Sequence, residues 1–420
     1  MPSSPKRSFL IYAIAYGVTG ATPFLLLPVL TRYLTPTQFG EVTSFLILTG
    51  LLNSFAGLNT QGFVAARFYK EQAEKFSTLL SSSLATMAVA HVIVLIFVGL
   101  IFPWIAQSLD LSLAYVLLAV LVALFLNFNL TFLAIFQFSG EPWQYLYTRI
   151  LQGVIELSLC LSLLFFTSAG AGARIWAYGV AIAASAVWGL CYCVRRGLIS
   201  NRLEMGPVRG LLRFGLPMLP HVGAGMAITY VDRLMVSSLL GSESLGIYMV
   251  AMQVGMTIVA LIEPLNKTLA PWLFEQLSKD QDTVRRMIVK RTYQLFAALV
   301  ALGAMVSIAA YFLFSHLIGA KFAAARMLVP CIVAGFVTQG MYYCVVNYMF
   351  YAERTGTLSL VTGSTALVGG LISYSLISMF GLPGAAVAFM IKGILLFLLV
   401  WFTTSKTVPM PWWPRRHEFS

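Results

Sequence analysis

Long apolar stretches, each sufficient to cross a bilayer, recur along the whole chain, and the basic residues crowd into every second loop between them. Reading runs of about twenty residues gives about twelve spans. The first six lie near Phe9 to Leu30, Val42 to Leu58, Leu79 to Trp104, Ser112 to Phe136, Tyr145 to Phe166 and Ile175 to Val194. The second six lie near Phe214 to Leu239, Leu245 to Trp272, Tyr293 to His316, Ala323 to Tyr351, Leu358 to Met379 and Ala385 to Thr404. With the amino terminus assigned to the cytoplasm, roughly nineteen Lys and Arg fall in cytoplasmic segments and about four outside, the asymmetry that fixes membrane topology. Both termini are then cytoplasmic. The prediction is an all-α integral membrane protein, because 59% hydrophobic and 10% charged residues in 420 leave no water-soluble core able to hide that surface.

The net charge of +12 does not point to nucleic acid. The excess sits in loops flanking apolar spans, where it orients helices and meets anionic headgroups, and not on a continuous basic face. Lys6 and Arg7 before an apolar run imitate a signal peptide, but no small-residue cleavage site follows, so the run reads as an uncleaved first span. The cysteines Cys160, Cys191, Cys193, Cys331 and Cys344 all fall in apolar stretches and read as packing residues. Neither a metal site nor a cofactor is expected.

The basic segment Arg195 to Arg213 divides the chain into two halves, 1–206 and 207–420. Across that divide a weak repeat aligns Tyr33 to Gly40 with Leu239 to Gly246, each copy joining the first and second spans of its half. Because six spans is an even number, both halves enter the membrane from the same side. The repeat is therefore parallel, with two six-helix bundles related by a pseudo-twofold along the membrane normal and a central cavity between them.

An ionisable group in the middle of a lone membrane helix costs about 3 kcal/mol on insertion scales, so several together must face protein or water. The cations are Arg32, Arg149, Arg233, Lys267 and Lys392; the acids are Glu156, Asp232 and Glu263. The cations form a ladder, with Arg149 and Lys267 toward the cytoplasm, Lys392 near the midplane, and Arg233 and Arg32 toward the outside. They are the candidates for binding an anionic substrate. The acids, together with His221 one turn into span seven, are the candidates for ion coupling. Arg149 and Glu156 are seven apart, nearly on one helix face, and so can line a common cavity. Glu263 and Lys267 are four apart in the acid-first order, and mutual neutralisation across a turn accounts for them equally well. Asp232 and Arg233 are adjacent and diverge, so each needs its own partner. A buried, hydrogen-bonded role is the plainer reading for His221 and for His91, and packing or interfacial anchoring is the plainer one for Tyr342, Tyr343, Tyr348 and Tyr351. Pro217, Pro220 and Pro264 predict bent helices in spans seven and eight. No phosphate-cradling glycine loop, hydrolase carboxylate pair or zinc ligand cluster is present in the sequence, and the outer loops are short.

Several of these segments resemble one family. Gly215-Leu216-Pro217-x-x-Pro220, then Asp232-Arg233, then Gly241 and Leu245-Gly246-Ile247-Tyr248, are similar to the seventh span and turn of the polysaccharide-repeat (O-antigen type) flippases, within the multidrug/oligosaccharidyl-lipid/polysaccharide exporter superfamily. Tyr33-Leu34-Thr35-Pro36-x-x-Phe39-Gly40 is similar to that family's first turn, and Ala270-Pro271-Trp272 to the end of its eighth span. The resemblance implies a non-enzymatic transporter of the bacterial inner membrane. Its substrate would be undecaprenyl-pyrophosphate-linked oligosaccharide, moved from the cytoplasmic to the outer leaflet by alternating access, with polysaccharide polymerase machinery as a possible partner. It also implies that spans one, two, seven and eight line the cavity, which favours Arg32, Arg233, Glu263 and Lys267 over Lys392. The alternatives are a multidrug or small-cation antiporter of the same superfamily, and a membrane-embedded glycan polymerase or ligase.

Overall fold

The computed structural model describes residues 5–412 except 280 and 353, and within its helices leaves out the side chains of a few residues, among them His221, Glu263 and Lys267. Among the described residues the regular structure is entirely helical. The α-helices are α1 (Pro5–Tyr33), α2 (Pro36–Ala56), α3 (Thr60–Arg67), α4 (Ala73–Leu100), α5 (Phe102–Leu109), α6 (Leu113–Phe138), α7 (Pro142–Phe166), α8 (Ala171–Arg195), α9 (Met205–Gly215), α10 (Leu219–Leu277), α11 (Asp282–Leu317), α12 (Ala325–Tyr351) and α13 (Thr355–Thr407).

Ten of the described helices are long and apolar enough to cross a membrane. Two of them are too long for one crossing. α10 has 59 residues and α13 has 53; at about 1.5 Å per residue each runs to well over twice the roughly 30 Å of hydrocarbon. Each is interrupted at one glycine, Gly241 (φ 84°, ψ 173°) and Gly381 (φ 62°, ψ −137°). That backbone region is open essentially to glycine alone, so these residues end one helix and start the next without a loop. With two crossings in each of these helices and one in each of the other eight, the chain makes about twelve, as the hydropathy pattern predicts. The chain is a multi-pass membrane protein.

Apolar side chains point outward where lipid would meet them. Ile93, Ile96, Phe97 and Leu100 on α4 are exposed, as are Ile308, Tyr311 and Phe312 on α11 and Leu360, Leu367 and Leu371 on α13. In water such surface would be an aggregation hazard; in hydrocarbon it costs nothing.

The chain forms two compact units. The first comprises Met1–Tyr230 with Gly241–Gly246, the second Val231–Leu240 with Ile247–Ser420. The turn at the break in α10 is thus part of the first unit, although the residues that flank it directly, Val231–Leu240 and those from Ile247 on, belong to the second. The repeated turns explain how. At the start of α2, Thr35 caps the helix by accepting from the Gln38 amide at 3.2 Å, while the Gln38 side chain accepts from the Thr35 amide at 2.9 Å. This reciprocal capping box, with Pro36 at the first helical position, fixes the direction in which α2 leaves the turn. One turn further on, a Cβ at Gly40 would collide with the backbone of Ser242, and a Cβ at Gly246 would collide with the backbone of Pro36. In the sequence repeat Gly40 is the counterpart of Gly246, and Pro36 of Ser242, so each glycine meets the backbone of the other copy of the turn. The Ser242 hydroxyl also donates to Asp110 Oδ2 at 3.0 Å, which fastens the turn to the short segment after α5.

Candidate functional site

In the first unit, Arg149 lies half-buried on α7, donates to Gln152 Oε1 at 3.3 Å, and has its guanidinium 5.6 Å from the Tyr145 ring centroid. Glu156, two turns further along, does not share an open face with it. Glu156 is bonded by Arg174 from the first turn of α8, and each side chain is only 6% exposed. Arg174 also lies 5.8 Å from the Tyr178 ring. A buried carboxylate is tolerable only when a cation and hydrogen bonds replace its lost water, and here the neighbouring helix supplies them. Arg174 is absent from the sequence-predicted set because it precedes the apolar run that begins at Ile175. The signal available was Glu156 itself, an acid about 15 Å from the end of its helix and in need of a partner. Arg32 sits in the last turn of α1 and is exposed. His91 is buried; its Nδ1 lies 2.8 Å from the Met87 carbonyl, and its Nε2 faces the Asn127 amide at 3.4 Å. This arrangement assigns the neutral Nδ1–H tautomer and a structural role.

In the second unit, Asp232 is buried and both its oxygens are engaged. Ser373 donates to Oδ1 at 2.8 Å, and the Lys392 ammonium binds Oδ2. The Lys392 side chain is 18% exposed and that of Asp232 is 8%. Gly369 makes room for the lysine stem, since a Cβ there would meet Lys392 Cδ and Cγ at 2.7 and 2.8 Å. Two residues placed in different roles by sequence, a substrate cation and a coupling acid, are therefore brought together as one ion pair joining α10 to α13. Arg233, the next residue, is half-buried and diverges from Asp232, as adjacent helix residues must. Tyr248, fully buried, is close enough to interact electrostatically with both. A second polar contact escaped the sequence reading: Asn347 on α12 donates to Asn266 on α10 at 2.8 Å and to the Tyr343 carbonyl at 3.0 Å. Asparagine carries no charge to flag it, so only the fold reveals that contact. Glu263, Lys267 and His221 fall on α10, and their side chains lie outside the described residues.

A family model described as a polysaccharide biosynthesis protein matches residues 6–277. An uncharacterized membrane protein of Haemophilus influenzae is 26% identical over 380 residues, covering 86% of this chain and 89% of its own. The Lsg locus putative protein 1 of the same organism is 23% identical over 415 residues, covering 95% and 98%. Among solved structures, the inward closed conformation of the lipid II flippase MurJ aligns with a TM-score of 0.73 at 13% identity, over 96% of this chain and 88% of that one. An inward-facing multidrug resistance MATE family transporter of the MOP superfamily aligns with a TM-score of 0.64 at 15% identity, over 94% and 95%. At these identities the two structures share the fold.

Proposed function

The chain belongs to the polysaccharide biosynthesis protein family, and from that premise we propose that it is a flippase for lipid-linked oligosaccharide. Its cargo would be a polysaccharide repeat unit on undecaprenyl pyrophosphate, carried from the cytoplasmic to the outer leaflet of a bacterial inner membrane with both termini in the cytoplasm. The glycolipid leaves with its covalent structure unchanged and passes to a polymerase. The family match, joined to a fold shared with a lipid II flippase, is the observation that supports this most.

Hydrocarbon excludes a hydrated pyrophosphate sugar because burying its charges without partners is prohibitively costly. Side chains must replace that hydration, and a guanidinium does so with two-point contacts to phosphate. Arg149 in the first unit and Arg233 in the second are the foremost candidates, with Arg32 and Lys267 toward the two ends of the path. Lys392 is held by Asp232, so its role in this reading is that of a counter-ion. Outward movement of two negative charges against a negative cytoplasm gains up to about 4.6 kcal/mol per 100 mV if they cross the whole field.

The test is reconstitution of the purified protein in vesicles with undecaprenyl-pyrophosphate-linked oligosaccharide, scoring its arrival in the opposite leaflet. Arg149→Ala and Arg233→Ala are each expected to slow flipping at least tenfold at equal protein content, with partial rescue by Lys. Unchanged flipping in both sinks the cationic reading. The fold is shared with a multidrug transporter as well, so drug efflux is the competing activity; resistance conferred by this chain without glycolipid movement would favour it.

A further inference from the structure

Past the last span the described residues continue to Trp412. After α13 stops at Thr407, Val408 turns to extended backbone (φ −117°, ψ 107°), and two prolines, Pro409 and Pro411, lead to Trp412. Trp412 then folds back into the second unit and is only 4% exposed. Its ring meets those of Tyr293 at 6.2 Å, Tyr348 at 5.6 Å and Trp401 at 5.8 Å, all at steep angles. Its carbonyl accepts from the Tyr293 hydroxyl at 2.7 Å, and its amide donates to the Met410 carbonyl at 2.8 Å. The same cluster includes Leu273 and Leu277 at the end of α10 and Ile288 and Val289 near the start of α11. One side chain therefore touches, directly or through its cluster, an end of each of four helices.

A tryptophan near a span end ordinarily sits in the headgroup layer with its ring partly in contact with lipid. Trp104 and Trp176 fit that description, at 70% and 50% exposure. Trp412 does not. Its indole N–H has no acceptor among the described residues, so the site holds the ring for its shape and π-face, at the cost of one unsatisfied donor. The prolines reduce the freedom the segment loses on docking, which suits a short self-ligand.

We propose that Val408–Trp412 is a clasp: a tethered, proline-spaced segment whose aromatic anchor fills a recognition pocket at the ends of α10, α11, α12 and α13, and ties the end of α10 to the other three. Trp412 is a positioning residue. By fastening α10 to its neighbours it makes them move as one body, a consequence for transport that rests on the flippase reading above. The pocket itself does not depend on that reading.

The test uses the full-length protein and backbone hydrogen exchange. In Trp412→Ala, amides of 273–277 and 288–293 are expected to exchange at least tenfold faster than in the parent, while 325–340 stay unchanged. Trp412→Phe, which keeps an aromatic face and removes the orphan donor, should remain within about threefold of the parent. Tyr293→Phe, the gentler variant should alanine impair folding, should fall between the two. A peptide reproducing residues 405–412 should restore protection to Trp412→Ala and leave the parent unaffected. Equal exchange in Trp412→Ala and the parent, or no restoration by the peptide, overturns the clasp whatever the protein transports. Flipping measured on the same variants should show reduced turnover with unchanged half-saturation. A defect in exchange with normal flipping would retain the pocket and discard the rigid-body consequence.

Discussion

The Glu156–Arg174 pair in the first unit and the Asp232–Lys392 pair in the second each hold an acid about 14 to 15 Å from the nearer end of its helical segment; Lys392 lies about as deep in its own segment, whereas Arg174 reaches Glu156 from the first turn of α8. They are built differently. Glu156 and Arg174 are separated by 18 residues, on consecutive helices joined by a tight connection, and both side chains are only 6% exposed. Asp232 and Lys392 are separated by 160 residues, the lysine side chain keeps 18% exposure, and Ser373 contributes a second contact to the carboxylate. The first is a guanidinium locked among its neighbours, with Tyr178 beside it. The second is a flexible point charge on a long stem, running over Gly369. A fully buried pair between consecutive helices fixes geometry, whereas a lysine that keeps part of its stem exposed holds its carboxylate less rigidly.

The largest effect that would sharpen this contrast is expected from breaking the first pair. Arg174→Met or Glu156→Leu leaves one charge buried without its partner, a loss of about 3–5 kcal/mol for a pair this dry. Thermal unfolding in detergent checks it. Replacing both members together should recover most of the loss, because the uncompensated charge is then gone. If the single variants are as stable as the parent, the two pairs are not different in kind.

The second pair should cost less to break. The Lys392 side chain is less completely buried, so Lys392→Met or Asp232→Asn is expected to lose about 2–3 kcal/mol, toward the low end of the range for a buried pair. The double variant should regain stability yet still flip substrate more slowly, if Lys392 takes part in transport. Full recovery of both properties would reduce the pair to a structural tie, like its counterpart in the first unit.

How far the sequence foretold these features depends on whether the cause is local. The turn between the first and second spans of each half was legible, because a turn's chemistry lies in a few adjacent residues and the repeat displayed it twice; the Thr35 capping box and the close approach at Gly40 and Gly246 emerged only with the fold. The number of crossings was legible for the same reason: hydropathy is read window by window. Ion-pair partners are another matter. Which cation faces Glu156 is decided by the packing of α7 on α8, and the apolar window that delimits a span set Arg174 aside. Lys392 and Asp232 each stood out as intramembrane charges, yet nothing in either segment states that the two segments meet. The Trp412 clasp was invisible too, since a short, proline-broken segment after the last span has no periodicity to read.

Gly40 and Gly246 allow a prediction that spans both repeats. If their contact is reciprocal, Gly40→Ala and Gly246→Ala should have equal effects, each costing about 1–3 kcal/mol by overpacking against backbone that cannot yield. Unequal costs would mean that one copy of the turn carries the contact and the other merely lies nearby.

The smallest effect, and the finest probe of the contrast, is Ser373→Ala. The hydroxyl donates to Asp232 Oδ1 at 2.8 Å from a fully buried position, and its loss leaves the Lys392 ammonium, among the described residues, to serve both oxygens. A hydrogen bond to a charged acceptor is worth about 1.5–3 kcal/mol, and the ammonium, with three protons on a mobile stem, can shift to cover part of the deficit. The net loss should therefore be about 1 kcal/mol. In the Lys392→Met background that compensation is unavailable, so the same substitution should cost more. This excess is the coupling a double-mutant cycle measures. An equal cost in both backgrounds would show that the ammonium does not move when its site changes, and the second pair would then be as rigid as the first.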